Sequence, residues 1–279
     1  MRSQHPLTSS FSRTATTPWM RALSRLPDVA MPDPGNIGRG RGGGRGRGRG
    51  GGRGGRGRPR KLDSPTVRLS KNLSQLLRHG AHDAGLGDCL AEDGFVPLAR
   101  VLALPRFRHV TADDVRALVA ACEKGRFELR EAGVDGAPES LIRATQGHTI
   151  ASGLDDDAML TRLDETSDVI EAVHGTSRGA WERIRVDGLS RMRRRHVHLA
   201  KGLPWDRQVV SGMRADSTVA VWVDVARGIR EGLPFYVSAN GVVLTPGEGK
   251  TGTVPARLFL RAHTLPVGEP LELAAPGET

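Results

Sequence analysis

The sequence predicts an α+β protein in two lobes behind a long polar N-terminal segment. Three observations predict it. Residues 67–81, VRLSKNLSQLLRHGA, set Leu69, Leu73, Leu76 and Leu77 on one face of a helix. RFELRE (126–131) alternates as a strand does, and LIRATQGH (141–148) returns as a second strand, so helices are followed by a terminal hairpin. From residue 169 the pattern changes to several short apolar strands separated by short helices. Helices closed by a hairpin make a winged-helix lobe over 64–150. The strands make a small α+β lobe over 169–270, with a frayed end at 271–279.

Order is expected to begin near Ser64-Pro65, and the first helix to run over about 66–79. DGFVPLARVLAL reads as a short extended piece at Phe95-Val96 and then a short helix. TADDVRALVAACEKG is the clearest helix: Thr111 caps it, and Asp113 and Asp114 complement its dipole. Val115, Leu118, Val119 and Cys122 form its apolar face, and Gly125 stops it. AGVDGAPES (132–140) reads as a turn between the two hairpin strands. Residues 151–168 are acidic, weakly patterned and read as a linker. Beyond it, VIEAVHGT, HVHLA, VAVWVDV, FYVS, VVLT and ARLFL read as strands. RGAWERIRVDGL reads as an amphipathic helix using Trp181, Ile184 and Leu189. Ala239-Asn240-Gly241 forms the turn between FYVS and VVLT, where Asn-Gly favours positive φ.

Residues 1–63 stand apart. The tract 38–61 holds nine Arg, one Lys and no acid, whereas the whole chain has 41 basic and 31 acidic residues. Without the tract the rest is formally neutral, so the basic pI describes a tail. Gly and Arg alone cannot bury apolar surface, and such a tail is expected to be disordered. Spaced guanidiniums on a flexible chain bind phosphate backbones without sequence preference, or act as a solubilising linker. Residues 1–30 carry Arg2, Arg13, Arg21 and Arg25 and no acid before Asp28, which fits a transit peptide or an unstructured leader. No apolar run has the length of a membrane span. Cys89 and Cys122 lack metal-ligand spacing and suit a reducing, intracellular compartment, cytoplasmic or nuclear, with organellar targeting left open.

The chain has no CxxC, HExxH, GxSxG or Walker A sequence, and GRGRGG lacks the strand and helix that would make it a dinucleotide turn. What stands out is Arg and His set within apolar elements. Arg78-His79 ends the first helix. Arg143 interrupts a strand. His174 precedes Gly175-Thr176. Arg194, His196 and His198 lie in RRRHVHLA. Any one of these is ordinarily a solvated charge or a satisfied core residue. Four such places in a chain with an RNA-adhesive tail point to a cleft for a polyanion, and guanidinium forks match phosphate oxygens.

LSKNLSQLLRHGA, DGFVPL, LIRATQGHT, VHGT, HVHLA, VSGMR and SANGVVLTPG together resemble the RNA 2′-phosphotransferase family, enzymes that remove the splice-junction 2′-phosphate from tRNA. The motifs stand in the family's order over about residues 67–247. The resemblance implies a winged-helix RNA lobe joined to an ADP-ribosyltransferase-like NAD lobe. It implies a monomer acting on RNA with an internal 2′-phosphate, with NAD consumed, no metal and no membrane. The 2′-phosphate attacks C1″ of the nicotinamide ribose and expels nicotinamide; the 2″-OH then attacks that phosphate, releasing RNA and ADP-ribose 1″,2″-cyclic phosphate. The essential Arg-His pair falls on Arg78 and His79, the second arginine on Arg143 and the third on Arg194. The HGT motif falls on His174, Gly175 and Thr176, with His174 holding the adenosine ribose.

A phosphate dianion needs no general base for the first step. The second moves a proton, and His79 is the candidate to carry it. RMRRRHVH offers Arg193 and Arg195 as substitutes for Arg194. Within Ser211-Gly212-Met213-Arg214, Arg214 either neutralises pyrophosphate or closes a surface ion pair. Asn240 either reaches nicotinamide or ribose, or serves the turn. His198 either contacts ribose or packs in the core. Two other readings use the same residues: NAD-dependent ADP-ribosylation of a terminal RNA phosphate, and RNA binding without catalysis.

Overall fold

The computed structural model describes residues 63–134, 137–150, 152–206, 209, 212–214, 216–266 and 268–274. The leader, the Gly/Arg tract and Ser211 lie outside the described residues. The first helix, α1 (Pro65–Gln75), starts where the sequence places it. Ser64 accepts the Val67 N–H at 3.3 Å, and Pro65 occupies the first turn, where its missing N–H costs nothing. The rest differs from the expected single helix over 66–79. At Leu76 the α-helix gives way to one wide π-turn, Leu76–Gly80, which carries Arg78 and His79. Leu73, Leu76 and Leu77 are buried along both segments, so the apolar stripe continues through the change of pitch. Nor does Gly80 break the chain: Ala81 keeps a helical φ of −63°, and the left-handed residue is Gly85, φ +74°.

β1 (Val96–Pro97), α2 (Leu98–Leu102), a 3₁₀ turn at Pro105–Phe107 and α3 (Ala112–Ala120) follow. Thr111 and Asp114 form a reciprocal capping box on α3. β2 (Phe127–Val134) and β3 (Ala137–Ala144) complete an antiparallel sheet of order β1-β3-β2. The expected turn over 132–140 is mostly paired strand, with Ala132 opposite Glu139 and Gly133 opposite Pro138. The polar composition misled because this part of the hairpin extends beyond the core. Pro138 is tolerated there because β1 pairs only with Leu141 and Ile142, leaving that side of Pro138 open. Leu73, Leu76, Phe107, Val115, Phe127 and Ile142 form the core of this region.

The segment read as a linker is built into the next layer. α4 (Asp156–Met159) and β4 (Thr161–Arg162) lie within it, and Met159 and Leu160 share a small core with Tyr236, Val242 and Leu244. Then come β5 (Glu171–Thr176), α5 (Arg178–Asp187), β6 (Leu189–Ser190), β7 (Val197–Leu199), β8 (Val219–Asp224) and α6 (Val225–Arg230). β9 (Tyr236–Val237), β10 (Val243–Thr245), β11 (Thr253–Val254), β12 (Phe259–Thr264) and β13 (Pro270–Leu271) close the chain. One four-stranded sheet has the order β4-β9-β10-β7, another β13-β12-β8-β5, and β11 pairs with β6.

ARLFL was expected to be a strand throughout; its first three residues form a 3₁₀ turn, and the strand runs on to Thr264. The end expected to fray is anchored further, because Leu271 pairs with Ala262 and Leu273 packs on the core. Val219, Val221 and Val223, one face of β8, meet Trp181, Phe235 and Leu258 in the second large core. A bridge between Val173 and Ala200, with N–H···O distances of 2.8 and 2.7 Å, joins β5 to the end of β7. That bridge brings His174 beside His198 of β7. No helix among the described residues is long and apolar enough to cross a membrane.

Candidate functional site

The π-turn is gripped by Gly147 and Thr149, from the stretch just after β3. Gly147 has φ +90°, and a Cβ there would lie 3.5 Å from Cδ, Nε and Cζ of Arg78, so the guanidinium lies across the glycine. Arg78 Nε is buried without a hydrogen-bond partner. Burial first, then the facing charges of Arg194 and Arg126, bring the Arg78 pKa down to about 10. Thr149 N–H donates to the Arg78 carbonyl at 2.9 Å, and Thr149 Oγ1 lies 2.9 Å from His79 Nδ1. Burial and then the cations Arg78, Arg194 and Arg193 hold the His79 pKa below its ordinary value, so it is neutral at pH 7.

Behind this pair runs a ladder of histidines. His174 Nδ1–H donates to the His198 carbonyl, and His198 Nδ1–H donates to the His196 carbonyl, each at 3.0 Å. His196 Nε2–H donates to Asp156 Oδ2 at 3.0 Å. Burial brings His198 down to about 3, with Arg194 and His196 adding to it. His174 is lowered by burial and by Arg214 and Arg194. A neutral His198 with its Nδ1–H committed has a lone pair on Nε2. That atom lies 2.8 Å from Gln146 Oε1, so Gln146 must turn its amide to offer the N–H instead. His148, only 3% exposed, has an Nε2 without a partner and is brought down to about 3 by burial and by Arg78.

The three neighbouring arginines separate clearly. Arg195 Nε and Nη2 donate to Asp156 Oδ1 at 3.1 and 2.8 Å, and its backbone N–H donates to the His148 carbonyl. It is spent on structure. Arg193 and Arg194 are both exposed, and Arg193 acts on His79 alone among these groups. Arg194 acts on Arg78, His79, His174 and His198 together. Among the described residues no carboxylate lies within ion-pair distance of Arg78, Arg194 or Arg214.

Asp156, from the expected linker, is the hub beneath them. Burial alone would raise its carboxyl, but the hydrogen bonds from His196 and Arg195 outweigh this and hold it at about 2. Asp156→Ala leaves two donors in a half-dry site without their acceptor. The expected cost is about 3 kcal/mol of stability, read as a lower urea midpoint at unchanged m.

Gly175 and Gly212 are placed by close approach. A Cβ on Gly175 would lie 2.6 Å from Ser217 Oγ and against Met213, and one on Gly212 (φ +115°) would lie 2.9 Å from Ala200 Cα. The Gly212-Met213-Arg214 loop is thus pressed onto the end of β5, next to His174. Ser217 Oγ is buried there without a partner. Thr176 ends β5, and its carbonyl accepts from the Thr218 N–H at 2.8 Å.

Two expected residues are otherwise engaged. Arg143 stands opposite Glu128, with Ile142 and Ala144 turned into the core. Its Nε and Nη2 donate to Glu128 at 2.9 and 2.7 Å, its Nη1 donates to the Asp93 carbonyl, and it lies 4.7 Å from the Phe95 ring centre. Asn240 accepts from Ser238 Oγ and donates to the Lys124 carbonyl, both at 2.8 Å, so it ties the 238–241 turn to the end of the α3 segment. A cleft of about 540 Å³ opens beside this tie, lined by Glu128, Thr145, Lys201 and Asn240 among others. Arg78, His79, Arg194, His174 and His198 do not line it; Cys122 and Thr145 connect the two places. Gln146, His148, Thr149 and Asp156 carry the site's supporting contacts, yet the sequence marks the first three only by their nearness to Arg143 and Asp156 only as one acid among several.

An α+β protein with uncompensated guanidiniums around neutral imidazoles defines a site for phosphate-rich ligands. Residues 64–247 match the family described as RNA 2′-phosphotransferase, Tpt1/KptA, and the chain belongs to that enzyme family. It is 42% identical over 225 residues to the Mus musculus tRNA 2′-phosphotransferase 1, covering 80% of this chain and 86% of that one. To the Danio rerio tRNA 2′-phosphotransferase 1 it is 43% identical, covering 74% and 89%. To the Saccharomyces cerevisiae tRNA 2′-phosphotransferase it is 36% identical, covering 66% and 80%.

Proposed function

We propose that this chain removes the internal 2′-phosphate from spliced tRNA by transferring it to NAD. The observation that carries this reading is the meeting of Arg78 and Arg194 with neutral histidines and, among the described residues, no carboxylate at ion-pair distance to neutralise them. Cations that repel one another across a half-dry site are an anion site already shaped. NAD fits the residues present. Arg78 Nε and Ser217 Oγ are buried polar atoms without partners among the described residues, and Gly175 makes room for Ser217 while Gly212 lets its loop approach Ala200 closely. NAD supplies the ribose C1″ as electrophile and the 2″-OH as the second nucleophile.

The 64–150 region serves as a winged-helix RNA lobe, and the 169–270 region as an ADP-ribosyltransferase-like NAD lobe. Arg78 and Arg194 orient the 2′-phosphate, which is already ionised near pH 7, and offset the charge that gathers on phosphorus in the second step. His79 takes the proton of the 2″-OH and returns it to the departing RNA 2′-oxygen. His174, with Nδ1–H held by the His198 carbonyl, presents Nε2 to a ribose hydroxyl. Arg214 neutralises pyrophosphate. Arg143 joins the RNA by exchanging Glu128 for a phosphate, and Asn240 braces the cleft.

Gly175→Ala tests the NAD side. The new methyl group displaces Met213 or Ser217. The expected loss is about 1–3 kcal/mol, a rise in KM for NAD of roughly tenfold to a hundredfold, with KM for RNA unchanged. The whole reading is tested in a single turnover on a short RNA bearing one internal 2′-phosphate, with and without NAD. NAD-dependent loss of the phosphate with ADP-ribose 1″,2″-cyclic phosphate is the expected result. A stable RNA–ADP-ribose adduct points instead to ADP-ribosylation as the end reaction, and binding without reaction points to a non-catalytic RNA protein.

A further inference from the structure

Thr149 holds the π-turn at two points. Its N–H donates to the Arg78 carbonyl and its hydroxyl lies on His79 Nδ1, both at 2.9 Å. The first contact fixes the backbone that carries the Arg-His pair. The second fixes the plane of the ring. Among the described residues, Thr149 Oγ1 is the hydrogen-bond partner of the His79 ring.

The kind of partner matters. His174 and His198 each give Nδ1–H to a backbone carbonyl, which can only accept. Such a ring is locked in one tautomer. A hydroxyl both donates and accepts, so it can follow the ring in either tautomer without moving it. The surroundings of His79 are also of one sign. Arg78 faces it from its own turn, Arg193 and Arg194 from the loop before β7, and neutral His148 from beside Thr149. No carboxylate is among them. A carboxylate in the place of Thr149 would favour the imidazolium and hold the proton back.

We propose that Thr149 is the positioning residue of His79: its hydroxyl accepts the ring Nδ1–H and aims the ring, so that Nε2, with its lone pair free, can first take a proton and then give it back. The inference rests on the function proposed above. As the 2″-oxygen bonds to phosphorus, its proton passes to His79 Nε2. As the phosphorus–O2′ bond breaks, that proton passes to the RNA 2′-oxygen, and the ring ends as it began. The first step, nicotinamide release, moves no proton through His79 and does not need Thr149.

Two variants separate positioning from folding. Thr149→Val keeps the shape and removes the hydroxyl; Thr149→Ser keeps the hydroxyl. In single turnover, Thr149→Val is expected to release nicotinamide within threefold of the wild-type rate. Its second step slows tenfold or more, so RNA still carrying ADP-ribose accumulates, and Thr149→Ser recovers most of the rate. Equal slowing of both steps, or no recovery with serine, overturns the proposal. A second readout needs no substrate. The ¹⁵N shifts of the His79 ring, assigned by comparison with His79→Ala, are expected to move in Thr149→Val and to stay near wild type in Thr149→Ser. Unmoved shifts in Thr149→Val overturn the proposal even if activity falls. Wild-type protein that fails to consume NAD on this RNA counts against the proposed function alone, because the ring shifts still decide whether Thr149 holds His79.

Discussion

Arg78→Gln is expected to slow 2′-phosphate removal on the order of 10²–10³-fold while leaving the melting temperature unchanged or raised. The two effects part because the guanidinium stabilises nothing in the protein alone. It is half-buried over Gly147, its Nε has no partner, and Arg194 and Arg126 face it. A pKa brought down to about 10 says that the fold works against this charge. Glutamine keeps the stem against Gly147 and removes the repulsion. What it cannot supply is a cation where negative charge gathers during transfer, and one such donor is worth about 3–4 kcal/mol of barrier. Single-turnover rates and thermal unfolding of the same preparation check both halves. A fall of several degrees in melting temperature would show the guanidinium to be a structural brace and remove the reason for the predicted separation.

The tension at Arg78 also explains what could be read from the sequence. Leucine spacing located the first helix, and the Thr111 cap located the third, because periodicity and capping chemistry are local. The Arg and His residues stood out because they interrupt apolar elements, where a charge needs a reason. The widened turn at Leu76–Gly80 has no local signal. Its residues suit an α-helix equally well, and the contacts that favour the wider turn come from residues 146–149, some seventy positions later. The same holds for Asp156. An acid in a run of acids reads as solvated linker until Arg195 and His196 arrive from the loop before β7 to claim both its oxygens.

Arg143 and Asn240 mark a different limit. Sequence can say that an arginine in a strand is out of place, but not which acid lies across from it. The register that sets Glu128 opposite Arg143 depends on hairpin pairing that begins where the sequence reads as turn. Asn240 was noticed for its turn chemistry. Its role as a tie to Lys124 depends on how two separate cores meet, which no short pattern encodes.

Acid is expected to destabilise this protein from about pH 6.5 downward, before its carboxylates begin to titrate. His148 and His198 are folded as neutral rings with pKa values of about 3, against an unfolded value near 6.5, and His174 is lowered in the same sense. Their stability contribution is complete above pH 6.5. Below it the unfolded chain takes up protons that the folded state refuses, and stability falls until about pH 3. Two such groups give a slope approaching 2.7 kcal/mol per pH unit, or about 3 kcal/mol between pH 6.5 and 5. Against a total of roughly 5–15 kcal/mol, that brings a protein at the low end of the range to unfolding near pH 4. Asp156 acts lower: its folded pKa of about 2 keeps its contribution intact above pH 4 and loses it as pH falls through 2. Urea unfolding at pH 7, 6 and 5 measures the slope. His148→Met removes one titrating ring whose Nε2 has no partner to lose, and the slope between pH 6.5 and 5 should fall by about half. A wild-type midpoint that does not move over this range would mean that these rings reach solvent in the folded state. The histidine ladder would then lose the fixed tautomers that aim His174 toward a ribose.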